Sequence, residues 1–289
     1  MKQGTKEWRE ARKSHIGASD APVIMNVCPF TRSDGFPRTP LTLWKEKLDI
    51  LGDDKPTSAM NYGLEAEHNI RQMVNETTGK TFDPAVFFHP EMPFMMASLD
   101  GITGDKQYIL EIKTCGDADF ALAEKGEVPE KYFPQVQHQL MCVPVAQCVL
   151  YVVSHRDTKE TKTIEITPDS AYQNKLVAKE KEFWSCVLNF KQPEATERDY
   201  HERDKVWYQK AKELYAIKER IRQLKEDEKS WEQELRNLSN GENSFFENLR
   251  YTLSMRKGTV DYSKIPELQK VDVESYRKAP TPSWRLSAR

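Results

Sequence analysis

The 289-residue sequence has no CxxC pair, and its five cysteines, Cys28, Cys115, Cys142, Cys148 and Cys186, are odd in number. That usage fits free thiols in a reducing cytosol and argues against a disulfide framework or a zinc or iron–sulfur site. No apolar run approaches membrane-spanning length, and the opening residues MKQGTKEWREARK hold no apolar signal core. A cytoplasmic protein with no membrane contact is expected. Internal repeats and low-complexity tracts are missing. An excess of charge of one sign is missing too: the formal net charge is −2, with 30% charged residues. Any surface built for nucleic acid must therefore be local. The length and the 38% hydrophobic content suit one large domain, alone or with an extension.

The most informative stretch is Ser98 to Lys113, SLDGITGDKQYILEIK. It reads as two short strands joined by a tight turn, the first closing at Asp100. A period of two puts Ile109, Glu111 and Lys113 on one face of the second strand and Leu110 and Ile112 on the other. Charges on a strand with that much apolar content are costly unless they have a task. Asp100 and Glu111, at the two ends of a hairpin, can lie side by side. Two hard carboxylates suit Mg²⁺ or Mn²⁺, and the Lys113 ammonium beside them can orient a water. Taken alone, a D…ExK pattern is short and common, and a wet hairpin face would explain it.

The flanks supply context. Residues 5–13 suit a helix capped by Thr5, and Ser19 or Asp20 can cap the next one. The amides of that second helix, near Arg12, suit an anion, although on this segment alone ordinary capping is the better account. Thr39 caps a helix to Leu48, and a longer helix runs from about Ser58 to Gly79. Either Glu65 or Glu67 on it can reach a metal held by the hairpin, whereas a lone Glu by default belongs to a solvated face. Strands are expected at 81–89, 147–154 and 159–166, and helices at 117–125, from Pro134 and at 168–190. Gln135, Gln137, His138 and Gln139 cluster on the helix from Pro134, whose buried face is marked by Val136, Leu140 and Val143. These elements predict one α/β domain with a central sheet, residues 1–193. Residues 194–289 form a separate extension. From Asp204 to Leu238 there is no Gly or Pro, and Leu214, Ile217, Ile221, Leu224, Trp231, Leu235 and Leu238 fall at alternating spacings of three and four, with Glu228 interrupting one position. Such a seam is a brace on the domain or a subunit contact. Residues 244–289 carry a local surplus of +4, with a hairpin expected to turn at Lys257-Gly258. This basic tail suits phosphate contact or simple solvation.

Five ordered motifs together carry a resemblance: Trp8…Arg12…IGAS before Asp20, Gly63-x-x-x-Glu67, SLDG at 98–101, EIK at 111–113 and PQVQHQL at 134–140. Over roughly residues 8–190 the chain resembles the YqaJ-like viral recombinases, the phage-type exonucleases of the lambda exonuclease kind. The resemblance implies a PD-(D/E)xK restriction-endonuclease-like core: a central mixed sheet flanked by helices, here with a long C-terminal helix. It implies metal-binding roles for Asp100, Glu111, Glu67 and the Ile112 carbonyl. Lys113 would be the catalytic lysine, with Gln137, or less readily Gln135, assisting the attacking water. Arg12 and Ser19 would hold a 5′ phosphate, and Ser98 would contact the scissile region. Leu99 stands where the family usually has proline. The implied activity is a 5′→3′ exonuclease on linear double-stranded DNA with two Mg²⁺ ions, or Mn²⁺. It would release 5′-mononucleotides and leave 3′ single strands for recombination. Implied partners are DNA ends, a phage single-strand annealing protein and further copies of the chain in a trimeric or tetrameric ring. A structure- or site-specific endonuclease, a non-catalytic DNA-binding adaptor and a coiled-coil scaffold are the competing expectations.

Overall fold

A computed structural model describes residues 1, 3–52, 54–201 and 203–252. It divides into two compact units, Met1–Tyr200 and His201–Arg289. All five cysteines are free. No helix among the described residues is long and apolar enough to cross a membrane.

The first unit opens with α1 (Lys6–Lys13), where the Thr5 hydroxyl accepts the Trp8 amide as an N-cap. A two-residue strand β1 (Ile16–Gly17), a 3₁₀ turn and the short helix α2 (Ala21–Ile24) follow. Then come α3 (Pro40–Lys47), capped by Thr39, and α4 (Ser58–Thr78), which stops at Gly79 in the left-handed region. The strands are β2 (Asp83–Phe88), β3 (Met95–Ile102), β4 (Tyr108–Cys115), β5 (Cys148–His155) and β6 (Thr161–Ile166). Helices α5 (Asp117–Glu124) and α6 (Phe133–Cys142) lie between β4 and β5, and α7 (Ser170–Leu188) follows β6.

The sheet is mixed, in the order β1-β3-β4-β5-β6, with β2 also paired to β3. Strand β4 runs parallel to β5 over eight residue pairs, and every residue of β5 is buried. One layer, built on α6 and α7, packs Val136, Leu140 and Leu176 against Leu99, Ile109, Val149 and Tyr151. On the other, α4 packs Ile70 and Val74 against Leu110, Ile112, Leu150 and Val152. Alternate residues of β4 therefore serve opposite layers, as a strand buried on both sides requires. Past α7 the chain remains attached to this unit. Thr39 Oγ1 donates to Asp199 Oδ1 at 2.5 Å, and the Arg198 guanidinium donates to the Cys28 and Phe30 carbonyls.

Two irregularities set up the site. First, β3 does not close at Asp100 but continues to Ile102, and it pairs with β4 only at Gly101–Leu110 and Ile102–Ile109. Beyond these pairs the strands part, where Asp100 and Glu111 would be the next opposed residues. Second, the β2–β3 register slips. Asp83 faces Ile102 but Ala85 faces Leu99, so Asp100 and Gly101 together oppose Pro84. This is a β-bulge: Leu99 and Ile102, three apart, serve the same core layer, so the strand's alternation shifts at Asp100–Gly101. Pro84 has no amide to lose at that point.

The second unit is described through residue 252. It holds α8 (Lys205–Leu238), a 34-residue helix capped by Asp204, and a small hairpin, β7 (Ser244–Phe246) with β8 (Leu249–Tyr251). Arg236 Nε donates to Tyr251 Oη at 3.0 Å, joining hairpin to helix. The turn expected at Lys257-Gly258, and most of the basic tail, lie outside the described residues.

Candidate active site

The parting of β3 and β4 leaves Asp100 with an amide to bind. Its Oδ2 accepts Ile112 N–H at 2.8 Å, replacing the ladder bond that would have formed there. Its Oδ1 makes no hydrogen bond among the described residues. Glu111 is 1% exposed, an expensive place for a carboxylate. Three donors offset that cost. Lys113 Nζ and Gln135 Nε2 (2.6 Å) reach Oε1, and Gln139 Nε2 reaches Oε2 at 2.5 Å. A carboxylate has about four acceptor positions, so about one remains open. Glu67, on α4, accepts from Arg71 Nη1 at 2.7 Å, and the same nitrogen reaches the Asp100 carbonyl at 2.7 Å. Lys113 also lies over the Tyr132 ring, 5.3 Å from its centroid.

The electrostatics follow from this crowding. Burial pushes the Asp100 carboxyl well above the usual range, Glu111 and Glu67 push it further, and Lys113 opposes them. Burial would lower the Lys113 ammonium, but Glu111 and Asp100 outweigh it and hold its proton more tightly than usual. The cluster thus sets the three acids Glu67, Asp100 and Glu111 against the two cations Lys113 and Arg71.

These groups line a single cleft of about 520 Å³, whose wall includes Glu67, Asp100, Glu111, Ile112, Lys113 and Gln135. Arg12, Ser19 and Ser98 line it as well. Arg12 Nη2 donates to Ser19 Oγ (3.0 Å) and Asp20 Oδ1 (3.1 Å), and Trp8 Nε1 donates to Ser98 Oγ at 2.7 Å. Asp20 stands at the N-cap position of α2, but its side chain caps no amide of that helix and reaches back to the turn before it. It is 2% exposed, and its carboxylate takes the Gly17 amide, Arg12 and Lys47. Burial alone would raise its pKa, but Lys47 and Arg12 drive it far below the usual range. The following helix spans four residues with Pro22 in its first turn, so it offers few free amides.

One expected residue is placed elsewhere. Gln137 does not reach Glu111. Its Nε2 donates to the Thr167 carbonyl at 3.0 Å, and its Oε1 accepts from Asp169 N (2.9 Å) and Gln173 Nε2 (3.1 Å). Helical phase explains the difference: residues 135 and 139, four apart, share a face, and residue 137 lies about 200° around the helix. Gln135 and Gln139 meet Glu111 instead, while Gln137 fastens α6 to the start of α7. Gln139, Arg71, Tyr132 and the Trp8–Ser98 bond were not assigned from sequence. Only Gln139 left a signal, through its i, i+4 relation to Gln135.

Among the described residues no three His, Cys, Asp or Glu side chains already stand in ion-holding geometry. The donor chemistry nonetheless fits a hard divalent cation. Asp100 Oδ1 and the open position on Glu111 are hard carboxyl oxygens, and the crowding of Glu67, Asp100 and Glu111 is what a cation there would relieve.

Residues 7–146 match the sequence model of the family described as YqaJ-like viral recombinase domain. A Bacillus subtilis (strain 168) relative, the uncharacterized protein YqaJ, is 30% identical over 137 residues, or 46% of this chain. The matched region spans 41% of that relative's length. The alkaline exonuclease LHK-Exo of Laribacter hongkongensis superposes with a TM-score of 0.52 at 22% identity, covering 64% of this chain and 94% of its own. Its structure in complex with dAMP gives 0.53 at the same identity and coverage. At that identity the likeness establishes a shared fold.

Proposed function

We propose, taking residues 7–146 as a YqaJ-like viral recombinase domain, that this chain is a divalent-metal-dependent deoxyribonuclease. Its reading as a 5′→3′ exonuclease on linear duplex DNA, releasing 5′-mononucleotides, follows from the same premise. The observation that carries the proposal is the convergence of Glu67, Asp100, Glu111 and Lys113 on one cleft. Asp100, Glu111 and the Ile112 carbonyl would hold Mg²⁺ or Mn²⁺, with Glu67 joining if it exchanges Arg71 for the ion. Two such ions would supply charge neutralisation at the phosphate and a more acidic water.

The remaining roles belong to the chain. Lys113 holds its proton firmly, so it acts as a donor that orients the attacking water, not as a base. Gln135 and Gln139 hold the Glu111 side chain aimed into the cleft. Arg12 and Ser19, at the same cleft, would receive the terminal 5′ phosphate, and Ser98, fixed by Trp8, would stand near the scissile bond. The dAMP bound by LHK-Exo supports a nucleotide-sized product. A ring of three or four copies around DNA and a phage annealing protein as partner belong to the same proposal.

Linear and closed circular duplex DNA, each with Mg²⁺ or with EDTA, test it. Degradation of the linear form alone, with 5′-mononucleotides released, is expected. Cutting of the circle would replace the reading with an endonuclease. Binding without cleavage by the unaltered chain would replace it with an adaptor.

A further inference from the structure

Among the described residues outside the cleft, α8 carries a long run of apolar side chains in contact with solvent. All of its residues are described, and none is buried. Ile217, Leu224 and Trp231 are 56%, 51% and 65% exposed. They belong to a three-and-four repeat that runs from Leu214 to Leu238, with Glu228 as its one polar member. A helix with such a stripe gains by pairing with another, and the charges beside the stripe select the partner and its direction.

We propose that α8 pairs with α8 of a second copy of this chain, running antiparallel, with the symmetry axis near residues 225–227. In that register Leu214 packs on Leu238 of the second copy, Ile217 on Leu235 and Ile221 on Trp231. Leu224 covers Glu228. The flanking charges then match: Lys218 faces Glu232, and Arg220 faces Glu234. Lys225 of each copy lies beside Glu228 of the other, which offsets the meeting of the two Lys225 side chains at the axis. Asp227 against Asp227 is the one like-charge contact left, and each already accepts a bond from Gln223 of its own helix.

The parallel alternative is worse on the same residues. It stacks Glu228 on Glu228 inside the seam, and it sets Arg220 against Lys225 and Asp227 against Glu232. Only Glu213 with Lys218 is favourable. Like charges in a seam are penalised more than charges at its rim.

Short bis-maleimide cross-linking of the full chain tests the pairing and its direction together. The background carries Cys186→Ser, because the other four native cysteines are buried. Asp227→Cys, near the axis, is expected to give a covalent dimer. Leu214→Cys alone is expected to give at least tenfold less, since its two sites lie about 36 Å apart at 1.5 Å per residue. Leu214→Cys with Leu238→Cys should restore the dimer, and adding Ile221→Glu to Asp227→Cys should abolish it. A dimer from Leu214→Cys alone would overturn the antiparallel arrangement. No dimer from any variant would mean that something else covers the stripe, such as another part of the same chain. Neither result depends on nuclease activity or on a ring formed through the first unit.

Discussion

Replacing Gly101 by alanine should unseat Asp100 without touching its carboxylate. A Cβ built at position 101 would lie 2.7 Å from the Phe82 Cβ and 3.2 Å from the Leu110 Cβ. Phe82 and Leu110 are 1% and 0% exposed, so neither has open space to move into. The atoms in conflict are the first carbons of their side chains, and no rotamer change withdraws them. Overpacking of this kind costs about 1–3 kcal/mol. The lower chain entropy of alanine in the unfolded state returns roughly 0.4–1 kcal/mol. The net loss then lies between about zero and roughly 2.6 kcal/mol, with a midpoint of about 1.3 kcal/mol, or about 3–5 °C in Tm for a unit of this size. Gly104 is the control: nothing lies within 4 Å of its Cβ position, so Gly104→Ala should be neutral or slightly stabilising. Differential scanning calorimetry reads both, and nuclease rate per folded molecule should fall only for Gly101→Ala, since the bulge aims Asp100. Phe82→Ala cannot rescue the variant, because alanine keeps the offending carbon. Equal Tm and equal rate for Gly101→Ala and Gly104→Ala would refute the bulge as the determinant of the site.

Asp100→Ala, or removal of divalent metal by EDTA, should lower DNA hydrolysis by roughly a thousandfold or more, because several kcal/mol of charge stabilisation go with the ions; a rate assay on linear duplex checks it. The glutamines should separate by phenotype. Gln137→Ala leaves two backbone groups unpartnered and should cost about 1–3 kcal/mol in urea unfolding with normal activity per folded molecule. Gln135→Ala should do the opposite, and a reversal of the two would sink the helical-phase assignment. Stability should also depend on pH through His138 and Glu180, both 0% exposed, with Nδ1 2.7 Å from Oε1. Burial would lower the imidazole pKa, but Glu180 overrides it and holds the pKa well above 6.5. The ring's contribution is then complete below about pH 6.5 and is lost as pH rises through the folded-state value. Tm should fall on that alkaline side, and Glu180→Gln should flatten the slope; an unchanged slope would assign the dependence to other groups.

The acids and the lysine were legible because their placement is local. A period of two on β4 fixes Glu111 and Lys113 on one side, and the short turn before it brings Asp100 close. The glutamine was not legible. PQVQHQL sets three glutamines within about one and a half turns, so which one faces β4 depends on how α6 is rotated by its packing. Val136 and Leu140 marked one buried edge, yet residues 134 and 136–142 are all buried, and apolar spacing loses its meaning on such a helix. The bulge was equally hidden. Pro84 and Gly101 were both visible, but their opposition is a matter of register between strands that the sequence does not align. Asp20 looked like a cap because nothing nearby in sequence announces Lys47, whose ammonium reaches it at 2.6 Å across 27 positions.

The amide of Ile112 is a natural reporter. Its hydrogen is held by a side-chain oxygen of Asp100 rather than by a neighbouring strand. Anything that draws that oxygen away alters the environment of one backbone nitrogen flanked by two of the site's working groups. In a ¹⁵N-labelled sample this single resonance should shift during a Mg²⁺ titration while the amides of β5 stay still. Loading of the pocket could thus be followed with no DNA present and no bond broken.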